Sequence, residues 1–140
     1  MAIHPIFDTS SVIKYRREIK KYFETLYFPS LVFFELVATS INQDELKIYS
    51  DWRRDLNTQK RILSPTENDI WETAKAIRRM YLNKIAPQTK LVTLRTDALI
   101  ARLSVKQKDS FIVTDDVDDF QIIKREMTEL KIISAEDFFA

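Results

Sequence analysis

The chain has 140 residues, with 22 Lys and Arg against 21 Asp and Glu, a net charge of +1, 45% hydrophobic residues, one histidine, and neither cysteine nor glycine. That composition suits one compact domain and excludes thiol chemistry, cysteine-based metal sites, glycine-dependent phosphate loops and any mechanism that needs two histidines. The near-neutral total says little about partners, because it can hide a basic face beside an acidic pocket.

Residues 3–7 form a short apolar run that reads as a buried strand, and Asp8-Thr9-Ser10-Ser11 reads as the start of a helix. Val12, Tyr15, Ile19, Tyr22, Phe23 and Leu26 then recur at helical spacing, with Lys14, Arg16, Arg17, Lys20 and Lys21 on the outer face. Tyr27-Phe28-Pro29 reads as a brief second strand, and Ser30 is placed as the N-cap of an apolar helix over 31–40. A polar helix is predicted from about 44 to 58, followed by a short strand at Arg61-Ile62-Leu63. Thr66-Glu67-Asn68-Asp69 matches a capping box and opens a helix whose Ile70, Ala74, Ile77 and Tyr81 line one face, with Pro87 closing the region.

The last third continues with a helix over about 94–106 and a strand at Phe111-Ile112-Val113-Thr114. An acidic turn over 115–119 leads into a helix over 120–127, a strand over 130–133 and a terminal turn over 135–139. Apolar strands alternating with helices predict an α/β domain with a mostly parallel sheet. No repeat, low-complexity tract or linker interrupts it, so one domain is expected over 1–140. No run approaches the roughly 18 apolar residues of a transmembrane helix, and the first residues do not form a signal core, so a cytoplasmic protein is expected.

With so few other reactive groups, any chemistry falls to carboxylates, hydroxyls, cations and a bound hard metal. Asp8 ends an apolar strand, which suits a helix cap as well as a site. Asp115, Asp116, Asp118 and Asp119 suit the start of a helix, yet so many neighbouring acids exceed what capping needs. Both groups sit at the carboxyl ends of strands, where open parallel sheets bind ligands. Glu35 lies within Leu31-Val32-Phe33-Phe34-Glu35-Leu36-Val37-Ala38, and a lone carboxylate among apolar neighbours must be protonated, paired with a buried cation or metal-bound. Asp97 poses the same problem, since Ile100 and Ala101 share its helical face. Carboxylates converging without His or Cys suit an oxygen-seeking cation such as Mg²⁺ or Mn²⁺, the logic of metal-dependent nucleases.

At these residues the sequence resembles PIN-domain proteins, and most closely the VapC-type toxin ribonucleases. Ile6-Phe7-Asp8-Thr9-Ser10-Ser11-Val12-Ile13 resembles the family's opening strand, Phe34-Glu35-Leu36 its E-L helix, and Thr96-Asp97-Ala98-Leu99-Ile100-Ala101 its D-A-L-I-A helix. Phe111-Ile112-Val113-Thr114-Asp115-Asp116-Val117-Asp118-Asp119-Phe120 resembles V-T-x-[ND]-x-x-D-F, and the order and spacing of all these pieces fit over essentially the whole chain. The resemblance implies a three-layer α/β/α fold and catalytic acids Asp8, Glu35, Asp97 and Asp116. Within that set it implies Asp8 and Asp97 as direct Mg²⁺ or Mn²⁺ ligands, Asp116 as a further ligand directly or through water, and Glu35 as a ligand or a positioner of the attacking water. Thr114 is expected to hydrogen-bond within the site and Asp119 to brace the following turn. Arg102 and Leu103 depart from the small residues usual after D-A-L-I-A.

An RNA substrate, a cognate antitoxin protein and a homodimer are the partners that the resemblance implies. Lys14, Arg17, Lys21, Arg53, Arg54, Lys106 and Lys108 are the candidate phosphate-binding cations, each of which also suits a solvated surface. Tyr15 and Trp52 are expected to pack rather than to stack on bases. The competing readings are a catalytically idle PIN-like binding module and a phosphoacceptor domain, the latter opposed by an acid pair that follows a late strand instead of the first.

Overall fold

The computed structural model describes residues 3–140. Strand β1 (His4–Phe7) leads into helix α1 (Thr9–Ile19), and a 3-10 turn (Lys20–Tyr22) joins it to β2 (Phe28–Pro29). Helices α2 (Ser30–Ala38) and α3 (Gln43–Thr58), strand β3 (Ile62–Leu63) and helices α4 (Glu67–Leu82), α5 (Gln88–Thr93) and α6 (Arg95–Lys106) follow. The chain closes with β4 (Ser110–Thr114), α7 (Val117–Lys124), β5 (Ile132–Ser134) and α8 (Ala135–Phe138).

Three strands form a parallel sheet in the order β1-β4-β5, with Phe7 opposite Val113 and Thr114 opposite Ser134. A parallel pair, β2 with β3, extends this order through an isolated bridge between Ile6 and Tyr27. Helices cover the sheet, giving the three-layer α/β/α arrangement expected, and all five residues of central strand β4 are buried. A strand covered on both faces needs this continuous apolar pattern. Ile6, Phe7, Ile112 and Val113 join Phe28, Leu94, Ile100 and Phe120 in one core.

Several elements differ from the sequence expectation for identifiable reasons. The first helix is kinked at Tyr15 (φ −119°, ψ 33°), whose ring stacks on Phe139 at 4.4 Å, and regular helix ends at Ile19. Ser30 is the first helical residue rather than the cap, because Pro29, paired in β2 with Leu63, carries the chain straight into α2. Helix α5 was not expected; Pro87 sets its extended N-cap. Helix α7 begins earlier than residue 120, and β5 begins at Ile132 rather than 130. The capping box at Thr66 and Asp69 forms as expected, but Asp69, Thr73, Ala76 and Met80 are buried while Ile70 and Tyr81 face solvent.

That rotation of α4 follows from charge. Asp69 is fully buried and accepts bonds from Arg102 Nε and Lys106 Nζ at 3.0 Å, tying α4 to α6. Burial pushes its carboxyl up, but the Thr66 backbone N–H, Lys106 and Arg102 outweigh that and hold it well below the usual range. Arg102 therefore has a partner in the fold, and Lys106, a candidate phosphate ligand, is engaged there too.

Without glycine, the left-handed positions after two helices fall to Lys60 (φ 58°) and Lys84 (φ 55°). Each follows a helix whose last carbonyls are satisfied in a Schellman pattern: Arg61 N donates to Leu56 O, and Ile85 N to Met80 O.

Candidate metal centre

The acids gather where β1 and β4 end side by side. Asp8, which follows β1, is almost completely buried, and its Oδ1 caps α1 by accepting the Ser11 backbone N–H at 3.0 Å. The capping and site readings of this residue therefore coincide. Ser11 Oγ lies 2.6 Å from Asp8 Oδ1 and 2.7 Å from the Val113 carbonyl, while Ser10 Oγ stands 3.0 Å from both Asp8 oxygens. From the other strand, Thr114 Oγ1 donates to Asp8 Oδ2 at 2.6 Å and accepts the Asp116 N–H at 2.8 Å. Thr114 thus fixes both the Asp8 carboxylate and the course of the acidic turn, in keeping with the hydrogen-bonding role expected of it.

Glu35 comes in from α2, half-buried, with its Oε1 accepting the Thr9 hydroxyl at 2.6 Å. Its helix is less enclosed than the sequence implied, since Phe34 is 72% exposed and Val37 is exposed beside it. The expectation that a solvated glutamate has no place there fails: Glu35 sits at the border of the buried face, held by a hydroxyl rather than by a buried cation.

Asp97 stands in the first turn of α6, half-buried, with no hydrogen bond or ion pair to its carboxyl among the described residues. Burial, with repulsion from Asp8, Glu35, Asp116 and Asp119, pushes it up to about 7. Burial also raises Asp116, with Asp8, Asp119 and Asp115 adding to the shift and the Ser10 hydroxyl opposing it. Asp97 therefore senses the charge of the other three acids singled out in the sequence, and Asp116 that of Asp8.

Two lysines brace the acidic turn. Lys90 on α5 binds Asp119 Oδ1 at 2.6 Å, and Lys14 on α1 reaches Asp115 Oδ2 at 3.7 Å. The hydrogen bond from Lys90 to Asp119 is the main reason that the Lys90 ammonium is raised above its usual value, and Asp116 and Asp97 contribute. Asp119 is thus tied to a neighbouring helix rather than only to its own turn.

The other candidate cations are scattered. Arg17 and Lys21 are exposed near the end of α1, and Arg53 lines a groove on α3 with Phe34, Val37 and Asn57. Arg54 is already paired with Asp51 and Asp55. Trp52 is buried against Phe23 and Phe28, and Tyr15 stacks on Phe139, so both pack as expected.

Sequence reasoning missed Thr9, Ser10 and Ser11 as part of the site, although their hydroxyls directly follow Asp8. It also missed Lys90, because the helix that presents it was not foreseen.

Among the described residues, no three acids or histidines stand close enough together to share one ion. The donor chemistry nevertheless suits a hard divalent cation, since the acids carry hydroxyls beside them and the half-buried Asp97 carboxyl has no partner among the described residues.

No family model matches the chain, and no curated protein does. Solved structures do match. Chains of a DNA-bound VapBC from Salmonella typhimurium (TM-score 0.67, 17% identity, 95% of this chain and 98% of that one) and of VapBC-1 from nontypeable Haemophilus influenzae (0.65, 16%, 96% and 99%) are similar over nearly their full lengths. So is a chain of VapBC2 from Rickettsia felis bound to a promoter DNA fragment (0.61, 14%, 94% and 98%). At such identities the likeness is one of fold, and it shows that this chain shares the PIN-like α/β fold of those chains.

Proposed function

We propose that the protein is a metal-dependent endoribonuclease, the toxin of a toxin–antitoxin pair. The observation that carries this reading is Asp97, a half-buried carboxyl without a partner, repelled by Asp8, Glu35, Asp116 and Asp119 at the carboxyl ends of parallel strands. A fold tolerates such mutual repulsion where a ligand offsets it. Asp8, Asp97 and Asp116 would hold Mg²⁺ or Mn²⁺, and the bound ion would supply an activated water and offset charge on a phosphodiester.

The protein's own residues orient that chemistry. Thr114, Ser10 and Ser11 hold the Asp8 carboxylate in one orientation, and Thr9 aims Glu35. Glu35 Oε2, free of the Thr9 bond, would orient a water for attack on phosphorus, the water oxygen bonding to phosphorus as the P–O ester bond breaks and the leaving oxygen takes up a proton. Lys90 and Lys14 hold the acidic turn in place. Exposed Phe34, Val37 and Ile41 on and after α2 offer an apolar strip beside the site for an antitoxin segment, and self-association belongs to the same reading. Among the described residues no helix is long and apolar enough to cross a membrane, and a cytoplasmic site of action belongs to the same proposal.

The spread of the acids favours one competing reading, a PIN-like binding module without catalysis. The test is cleavage of a mixed, structured RNA pool in Mg²⁺, in Mn²⁺ and in EDTA, beside Asp8→Asn. Metal-dependent cutting that vanishes in the variant supports the nuclease. No cutting, with no metal-induced rise in melting temperature, rejects it.

A further inference from the structure

The acidic site has two walls, and one side chain joins them. Asp97 stands in the first turn of α6, and α5 runs directly into that helix, with Leu94 closing the one and opening the other. Asp116 and Asp119 belong to the opposite wall, made by the turn after β4 and the start of α7. Leu91 and Leu94, both buried, anchor α5 to the core. Lys90, next to Leu91, reaches from this helix to Asp119 Oδ1 at 2.6 Å and so spans from one wall to the other.

The ammonium acts on more than this one carboxylate. The hydrogen bond to Asp119 is the first cause that holds it above its ordinary value; burial opposes the shift, and the charges of Asp119, Asp116 and Asp97 add to it. Among the described residues no cation pairs with Asp8, Asp97 or Asp116, so Lys90 reaches Asp97 and Asp116 by charge alone. Lys14, the other lysine on the acidic turn, stands farther from its partner, at 3.7 Å from Asp115, and its side chain is 61% exposed against 39% for Lys90. Solvent therefore screens Lys14 more strongly.

Two effects of Lys90 on a bound ion oppose each other. As a clamp it draws the walls together, which favours an ion held between them. As a charge it repels that ion, and a divalent ion feels twice the force that a monovalent one does. The clamp is the weaker effect, because an ion pair this exposed contributes little and α6 packs against α7 in any case. The charge decides the sign.

We propose that Lys90 is a tethered competitor of the divalent ion, a cation built into the chain that offsets part of the acids' repulsion and so raises the ion concentration at which the site fills. This rests on the reading of the acids as a metal centre, and not on which substrate the metal serves.

The experiment titrates the full chain with Mn²⁺ alone by isothermal calorimetry at pH 7.5 and low salt, with circular dichroism to confirm that each variant folds. Lys90→Gln is expected to bind Mn²⁺ about tenfold more tightly than the wild type, and Lys90→Arg, which keeps the charge, about equally. Lys14→Gln is expected to gain less than about threefold. Lys90→Met, which also removes the charge, takes the place of the Gln variant should that one misfold. Removal of a packing or clamping residue leaves the affinity equal or weaker, so the sign of the change separates the two roles. Equal or weaker binding by Lys90→Gln beside a wild type that binds Mn²⁺ overturns the proposal and leaves the metal centre standing. So does a gain in Lys90→Arg as large as that in Lys90→Gln, which would exclude charge as the cause, or an equal gain in Lys14→Gln, which would make the effect one of general surface charge. Mn²⁺ binding by none of these proteins rejects the metal centre itself, and this role of Lys90 with it.

Discussion

Replacing Asp97 by Asn tests the electrostatics of the site without reference to any substrate. Burial and four neighbouring acids raise this carboxyl from 3.8 to about 7. Below about pH 3.8 the folded and unfolded chains both hold the proton, and the group has no effect on stability. Between 3.8 and 7 the unfolded chain is ionised while the native state retains the proton, so the native state loses stability as pH rises. Above 7 the loss is complete. A displacement of this size corresponds to about 4 kcal/mol, and solvent reaching the half-exposed group reduces that to about 2 kcal/mol. Asn keeps the shape and removes the charge, so in EDTA at pH 8 the variant is expected to be more stable by about 2 kcal/mol, or about 6 °C in melting temperature. At pH 4 the difference should nearly vanish. Urea denaturation across this range, repeated in millimolar Mg²⁺, measures it, and in Mg²⁺ the wild type should recover most of its deficit while the variant gains little. A variant less stable than wild type at pH 8 in EDTA, or a difference independent of pH, would refute the account.

Thr114→Val keeps the shape of a fully buried residue but leaves Asp8 Oδ2 and the Asp116 N–H without the hydroxyl they share, which should cost about 1–3 kcal/mol in urea denaturation and lower RNA cleavage. Asp69→Ala strands Arg102 and Lys106 between α4 and α6; because both cations reach solvent, a loss of about 2–3 kcal/mol is expected by the same method. Lys90→Ala removes the cation beside Asp119 and should shift the titration of the acidic cluster to higher pH, as followed by carboxyl NMR. At the left-handed helix ends, Lys60→Gly and Lys84→Gly should each stabilise the protein by about 0.5–1 kcal/mol, a gain absent at any right-handed position of the same helices.

Much of the fold is local, and to that extent it was legible. Alternating short apolar runs and amphipathic segments defined β1, β3, β4, α3 and α6 to within a few residues, because each pattern marks the burial of one face. The capping box at Thr66 worked for the same reason: its two hydrogen bonds span only neighbouring residues. Asp8, Glu35 and Asp116, whose charges act on Asp97, had each been singled out with it, since acids at strand ends and within apolar segments stand out without knowledge of the fold.

What the sequence by itself determined was therefore the alternation of strands and helices and which acids stand at strand ends or in apolar segments. Tertiary structure decided how they are held and which surfaces remain open. The hydroxyls of Thr9 and Thr114 find their carboxylates 26 and 106 positions away, a pairing no local pattern encodes. Helix α4 turned Ile70 and Tyr81 outward and buried Asp69, whose carboxylate meets Arg102 and Lys106 on α6, a pairing between residues more than 30 positions apart. Lys90 entered the site on a helix that only packing against α4 and α6 sustains, six residues being too few to persist alone.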